Sequence, residues 1–222
     1  MVTPQSEAQA GPADRADRAD RTVDPLLIDV PQRIETPRLI LRCPGPGDGD
    51  ALNAAECETL VDLLPWMPWA KAARTPAESE IYCRRSQAKF LLREDMPMFI
   101  FERRHVAGVA PDAEGLLLGS TGLHRIDWPA RRFEIGYWRR AGQQGRGIIT
   151  EAVLAMARLA FERLGAQRVE VRMDDANLAS RRVAERAGFG FEGLLRHDGV
   201  TPQGEPRDTR VYALVRSDWL AR

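Results

Sequence analysis

The sequence predicts an α/β domain built on a mixed, mostly antiparallel sheet with flanking helices. Three observations predict it. Short alternating segments joined by tight turns run from residue 98 to residue 138. A glycine-rich loop, 142–147, then feeds an amphipathic helix, and a β-prone strand follows at 169–173. The short connections make the first group an antiparallel meander, whereas strand–loop–helix–strand requires a right-handed crossover between parallel strands.

Taken in order, residues 1–33 are expected to be a disordered tail, because 11–24 repeats Ala-Asp-Arg with little apolar to bury. Order is expected from Ile34. Arg38-Leu39-Ile40-Leu41-Arg42 is β-prone and stops at the Pro/Gly-rich turn 43–49. Asp48 or Asp50 is the candidate N-cap of a helix reaching Leu60. Two prolines bar a regular helix from Leu63-Leu64-Pro65-Trp66-Met67-Pro68-Trp69, which places two indoles on an irregular loop. Thr75-Pro76-Ala77-Glu78 opens a helix to about Glu94. Strands are expected at 98–104, 116–126 and 132–138. In the next helix Val153, Met156, Ala160 and Leu164 share one face, with Glu151, Arg158 and Glu162 on the opposite, solvated one. Gly165 ends it. A helix over 179–187 stops at Gly188, and the last strands lie near 191–195 and 210–215.

The 222 residues include 32 Lys plus Arg and 32 Asp plus Glu, so the formal charge is zero and a dedicated nucleic-acid binder is not expected. No apolar run reaches the 18 or so residues of a membrane span, and no secretory h-region is seen at the start. Cys43, Cys57 and Cys83 fall in no CxxC spacing, which points to a reducing cytoplasm. His105, His124 and His197 form no zinc-binding pair, so no metal is expected.

The most informative segment is Gln144-Gly145-Arg146-Gly147-Ile148-Ile149-Thr150-Glu151. Glycines ahead of a helix let backbone approach a ligand, and the free N–H groups and dipole of the helix start favour an anion such as a pyrophosphate. Arg146 adds charge. A tight turn with purely geometric glycines is the alternative. A Walker loop lacks its lysine here, and a dinucleotide fingerprint lacks its third glycine, replaced by Thr150.

That segment resembles the coenzyme A pyrophosphate loop of the GCN5-related N-acetyltransferases (GNAT), [QR]-x-x-G-x-[GA], with Gln144 and Gly147 matching and Ile149 departing at the last position. The resemblance extends in order to the RimJ/RimL-type subgroup that acetylates ribosomal-protein N-termini. Its other elements are Glu35-Thr36-Pro37-Arg38-Leu39-Ile40-Leu41-Arg42, Pro65-Trp66-Met67-Pro68-Trp69, Glu134-Ile135-Gly136-Tyr137-Trp138, Asn177 with Ser180, and Gly188-Phe189. It implies a GNAT domain over 34–222 with a central sheet of six to seven strands, splayed between the fourth and fifth. It also implies acetyl-CoA as the acyl donor, coenzyme A as product and direct attack by a primary amine. The acceptor would be a peptide N-terminus or a small molecule, and the protein a monomer or homodimer.

By the same resemblance the pantetheine arm would pair with backbone near Trp138, Arg139 and Arg140. The pyrophosphate would lie on Gln144, Gly145, Arg146, Gly147, Ile148, Ile149 and Thr150. Asn177 would orient the cofactor arm, and Ser180 would protonate the leaving sulfur. Both also suit helix capping. Trp66, Trp69 and Tyr137 are candidate acceptor contacts. The subgroup's basic glutamate is missing, since the matching position is Gly199. Asp198 and Glu134 are the candidate replacements, Glu134 also suiting a buried ion pair. His124 and His197 read as ordinary surface or structural histidines. Two other functions fit the same residues: a catalytically silent acyl-CoA-binding or partner-binding module, or transfer of a carboxylate-ended acyl group such as succinyl, for which Arg139 and Arg140 would supply cations.

Overall fold

The computed structural model describes residues 23–104, 112–201 and 204–222. His105 and most of the expected tail, residues 1–22, lie outside the described residues. Among the described residues, eight strands form one sheet in the order β1-β2-β3-β4-β5-β6-β8-β7. They are β1 (Arg33–Glu35), β2 (Leu39–Arg42), β3 (Met96–Arg104), β4 (Ala113–Asp127), β5 (Arg132–Arg139), β6 (Arg168–Asp174), β7 (Gly190–Val200) and β8 (Pro206–Val215). The helices are α1 (Gly49–Leu63), α2 (Pro76–Leu91), α3 (Ile148–Arg158), α4 (Leu178–Arg186) and the short α5 (Arg216–Leu220).

The expected tail ends sooner than residue 33. Pro25–Leu27 form a 3-10 turn capped by Asp24, Val30 is buried in the core, and Arg33–Glu35 pair with β2. That short hairpin adds the eighth strand. Its cause is local: Cys43 N donates to Gln32 O at 2.8 Å, and Arg33 ion-pairs with Glu114 across the sheet.

Helix α2 starts as its sequence predicts. Thr75 Oγ1 accepts from Glu78 N at 3.2 Å, and the Glu78 carboxylate accepts from Thr75 N at 2.8 Å. Helix α1 is capped otherwise than expected. The Asp48 carboxylate is taken by Arg42 and by Gly45 N, while Glu80 of α2 accepts from Gly47 N and Gly49 N. Helix α3 passes into a π-helical turn, Leu159–Arg163, before β6.

Helices α1 and α2 cover one face of the sheet, burying Ile40, Phe99, Phe101 and Leu117 with Leu52, Ala55 and Cys83. The other face packs Leu41, Met98, Ile100, Phe133, Ile135 and Val171 against Val153, Met156 and Ala160 of α3 and Val183 and Ala184 of α4. Each fully buried large side chain contributes about 1.5–3 kcal/mol.

Strands β5 and β6 pair in parallel only where Arg132, Phe133 and Glu134 face Arg168, Val169 and Glu170. Beyond Glu134 the two strands part, while β6 stays paired to β8 along its whole length. The splay therefore lies between the fifth and sixth strands of eight, the same two segments the sequence marks as fourth and fifth.

Candidate active site

Gly147 is the N-cap of α3 with φ 71°, a left-handed conformation that suits glycine. No side chain caps this helix, and the first intrahelical amide in it is Glu151 N, donating to Gly147 O at 3.1 Å. The amides of the first turn are left to point outward. Thr150 Oγ1, in that turn, is buried without a hydrogen-bond partner. Ile148 and Ile149 turn into the core, so the bulky residue at the loop's last position does not obstruct the amides. Arg38 of the β1–β2 hairpin donates to Arg146 O at 2.8 Å and ion-pairs with Glu151 at 2.6 Å. Glu151 is thus no solvated residue. It accepts from Thr36 Oγ1 at 2.6 Å, and these bonds outweigh its desolvation and hold its carboxyl below the ordinary range. A hollow of about 460 Å³ opens here between the hairpin and α3, bordered by Arg38, Arg158 and Arg186.

The splay makes a second cavity of about 600 Å³, which brings together Trp66, Trp69, Glu134, Tyr137, Trp138, Asn177, Ser180 and Asp198. Register sorts their faces. His124 lies opposite Glu134, Gly122 opposite Gly136, and Ser120 opposite Trp138. These even positions share the α1–α2 face, whereas Tyr137 shares the α3–α4 face. Arg140 N donates to Leu118 O at 2.8 Å, so alternation along the ladder turns the N–H and C=O of Tyr137 and Arg139 toward the splay.

On the α3–α4 face, Tyr137 Oη donates to Ser180 O at 3.1 Å and lies 2.9 Å from Ser180 Oγ, which therefore supplies the second proton. Burial pushes the Tyr137 phenol up to about 12. Asn177 Oδ1 accepts from Ser180 N at 3.0 Å, the capping role its spacing allows. On the α1–α2 face, burial raises the Glu134 carboxyl, with Arg125 at 3.5 Å and Arg172 at 4.0 Å pulling weakly the other way. Glu134 Oε2 is buried with no hydrogen-bond partner. Asp198 is committed to Arg172 at 2.6 Å.

The model of the acetyltransferase (GNAT) domain matches residues 38–190. The chain belongs to this family. Within it, the Bacillus subtilis (strain 168) protein YdaF, provisionally named a ribosomal N-acetyltransferase, is 40% identical over 106 residues, 48% of this chain and 57% of YdaF. The Escherichia coli (strain K12) ribosomal-protein-serine acetyltransferase is 34% identical over 83 residues, 37% of this chain and 46% of its own length. The chain thus spans about half the length of the curated relatives it matches. Among solved structures, the microcin C7 self-immunity acetyltransferase MccE, in complex with acetyl-CoA and AMP, has a TM-score of 0.74 at 21% identity, covering 84% of this chain and 97% of that one. RimL in complex with coenzyme A has a TM-score of 0.69 at 20% identity, covering 85% and 98%. At that identity these two establish the fold.

At four positions the GNAT domain supplies partners that the sequence did not suggest. Arg140 is buried, its guanidinium bound by Glu58 and by Leu117 O, and Arg139 Nη1 donates to Arg140 O at 2.6 Å. Neither arginine side chain is among the residues that line the splay cavity, although the Arg139 backbone faces the splay. Tyr137, which lines the cavity, is also a hydrogen-bond partner of Ser180. Asp198 is an ion-pair member. The sequence reading also missed that Arg38 ties the β1–β2 hairpin to the loop before α3, and it took as ordinary His124, which lines the cavity with Nδ1 2.6 Å from Asp95 Oδ1. The only sequence sign of Arg38's role was its place in the Glu35–Arg42 motif. Asp95 and His124 are 29 residues apart and left no sign.

Proposed function

We propose that this GNAT domain transfers the acetyl group of acetyl-CoA to a primary amine by direct attack, with a protein N-terminus as the favoured acceptor. The observation that carries it is a pair of hollows: outward amides and an orphaned Thr150 hydroxyl at the start of α3, and in the splay a buried Glu134 Oε2 without a hydrogen bond. Those orphaned groups fit a diphosphate at the start of α3 and an amine beside β5. The name of YdaF supports a ribosomal-protein acceptor.

Acetyl-CoA supplies an acetyl group already activated as a thioester. The first-turn amides of α3 and Arg38 would hold its diphosphate. The N–H groups of Tyr137 and Arg139 face the splay, where they can pair with the arm and polarise the reacting carbonyl. Trp66 and Trp69 wall the acceptor side. Glu134 accepts the proton that nitrogen sheds as the C–N bond forms. Ser180 gives sulfur a proton as the C–S bond breaks, its hydroxyl turning from Tyr137 to do so. Holding both reactants in one slot supplies much of the acceleration.

The test is thiol release from acetyl-CoA with a panel of short peptides and small amines. Release with peptides bearing a free N-terminus, abolished by N-acetylating them beforehand, is the expected result. Acetyl-CoA binding without release on any amine would overturn the reading.

A further inference from the structure

We infer that His124 is a second catalytic base of this site, taking a proton from the incoming ammonium at Nε2 while Asp95 holds the ring. The inference rests on the acetyl-transfer reading above and concerns the step before attack. A protein α-amine is largely ammonium near neutral pH, and ammonium has no lone pair to offer a carbonyl carbon. Glu134 is assigned the proton lost during C–N bond formation. The earlier proton needs a different acceptor on the same face.

His124 is built for that position. Its Nδ1 lies 2.6 Å from Asp95 Oδ1. An ionised carboxylate only accepts, so Nδ1 carries the hydrogen, and in the neutral ring Nε2 holds the lone pair. The ring is seated over two glycines that face each other on neighbouring strands, Gly122 of β4 and Gly136 of β5. A Cβ at Gly136 would stand 2.8 Å from His124 Cδ2 and 3.1 Å from Nε2, and one at Gly122 would stand 2.9 Å from Cε1. A side chain at Gly136 would meet only the imidazole and dislodge it, whereas one at Gly122 would also meet Met96 O and Pro97 Cα of β3 at 2.8 Å. Glycine inside a strand costs stability, about 0.5–1 kcal/mol relative to alanine, and at Gly136 it clears space for one ring. A histidine with only a surface role has no need of such a seat.

The ring borders the same cavity as Glu134, its direct cross-strand neighbour. The step balances: the N–H bond of R–NH3+ breaks, its proton joins Nε2, and R–NH2 keeps the electron pair. The imidazolium so formed lies between two carboxylates, Asp95 and Glu134. It returns the proton to water through a side chain that is 32% exposed. The charged groups facing the ring are Asp95, which precedes β3, Arg125 on β4 and Glu134 on β5, with Arg172 of β6 behind Glu134.

The experiment uses the full chain, acetyl-CoA and short peptides beginning with Ser or Ala. His124→Gln should lower kcat/KM about 100-fold at about pH 7, where the amine is still ammonium, and the defect should shrink toward about pH 9, where the amine is already free. Added imidazole should restore turnover to His124→Ala, while calorimetry finds acetyl-CoA affinity unchanged in both variants. Wild-type kcat/KM for His124→Gln at about pH 7, or a loss equal at every pH with no imidazole rescue, would overturn the inference. A second readout needs no acceptor. Nitrogen NMR of the labelled imidazole should find the neutral ring protonated at Nδ1, and Asp95→Asn should mix the tautomers. A ring protonated at Nε2 would overturn the inference too. Failure of the wild type to acetylate any amine would instead sink the acetyl-transfer reading, leaving the NMR result to judge the ring.

Discussion

The two faces of β5 treat their polar side chains in opposite ways. Toward α3 and α4, Tyr137 and Ser180 satisfy one another, and Asn177 caps the helix that carries the serine. Toward α1 and α2, Glu134 keeps a buried oxygen without a hydrogen bond, and His124 rests over a floor of glycine. Buried polar atoms are nearly always paired, so the unpaired ones mark where something else is meant to bind or where protons are exchanged. On the proposed function, the closed face would position the long ligand and the open face would receive the incoming amine.

The sharpest way to break that contrast is Glu134→Gln. It keeps the shape and removes the basicity, so kcat should fall about 1,000-fold while KM for acetyl-CoA stays within about twofold. Thiol-release kinetics would check it, and a variant with wild-type kcat would erase the distinction between the faces. Next in size is Gly147→Val. A branched side chain at φ 71° is strained, and it would sit beside the Arg38 guanidinium at the mouth of the anion site. Acetyl-CoA affinity measured by calorimetry should weaken about 10-fold or more, a cost of about 1.4 kcal/mol.

Ser180→Ala sharpens the comparison from the closed side. It should lower kcat about 10-fold with little change in acceptor KM, a proton donor being easier to replace by water than a base. Equal turnover across pH would remove the serine from the mechanism.

The smallest effect is thermodynamic. Burial raises the folded-state value of Glu134 above that of the unfolded chain. At low pH the carboxyl is neutral in both states and costs nothing. As pH climbs through the ordinary carboxylate range, the unfolded chain ionises freely while the folded one resists, so stability falls until the raised value is passed. Urea titrations should therefore find Glu134→Gln gaining on the wild type over that window and holding a constant lead above it. A difference independent of pH would mean that the carboxyl is not desolvated.

Much of this was legible in the chain. Thr75 and Glu78 announced their capping box, Gly147 its loop, and Val153, Met156 and Ala160 their buried stripe, because each depends on neighbours within a turn or two. Readings that treated long side chains singly fared worse. Arg140 looked like a cation for the ligand, yet it spans 82 residues to reach Glu58. Glu151 looked solvated, yet it binds Thr36 from 115 residues away. Val30 looked like tail, and the core drew it in.

Local periodicity, glycine placement and an ordered string of motifs were enough to name the family, the sheet and the glycine turn into α3, since these rest on backbone preferences that a few consecutive residues express. Which face each polar group serves, and which of them remain unpaired, followed only from β-strand register and from where β5 leaves β6. Those are long-range pairings. An arginine or histidine has no partner until the fold brings one within hydrogen-bond reach, and that is why His124 and Asp95 meet in the structure with nothing in the chain to announce them.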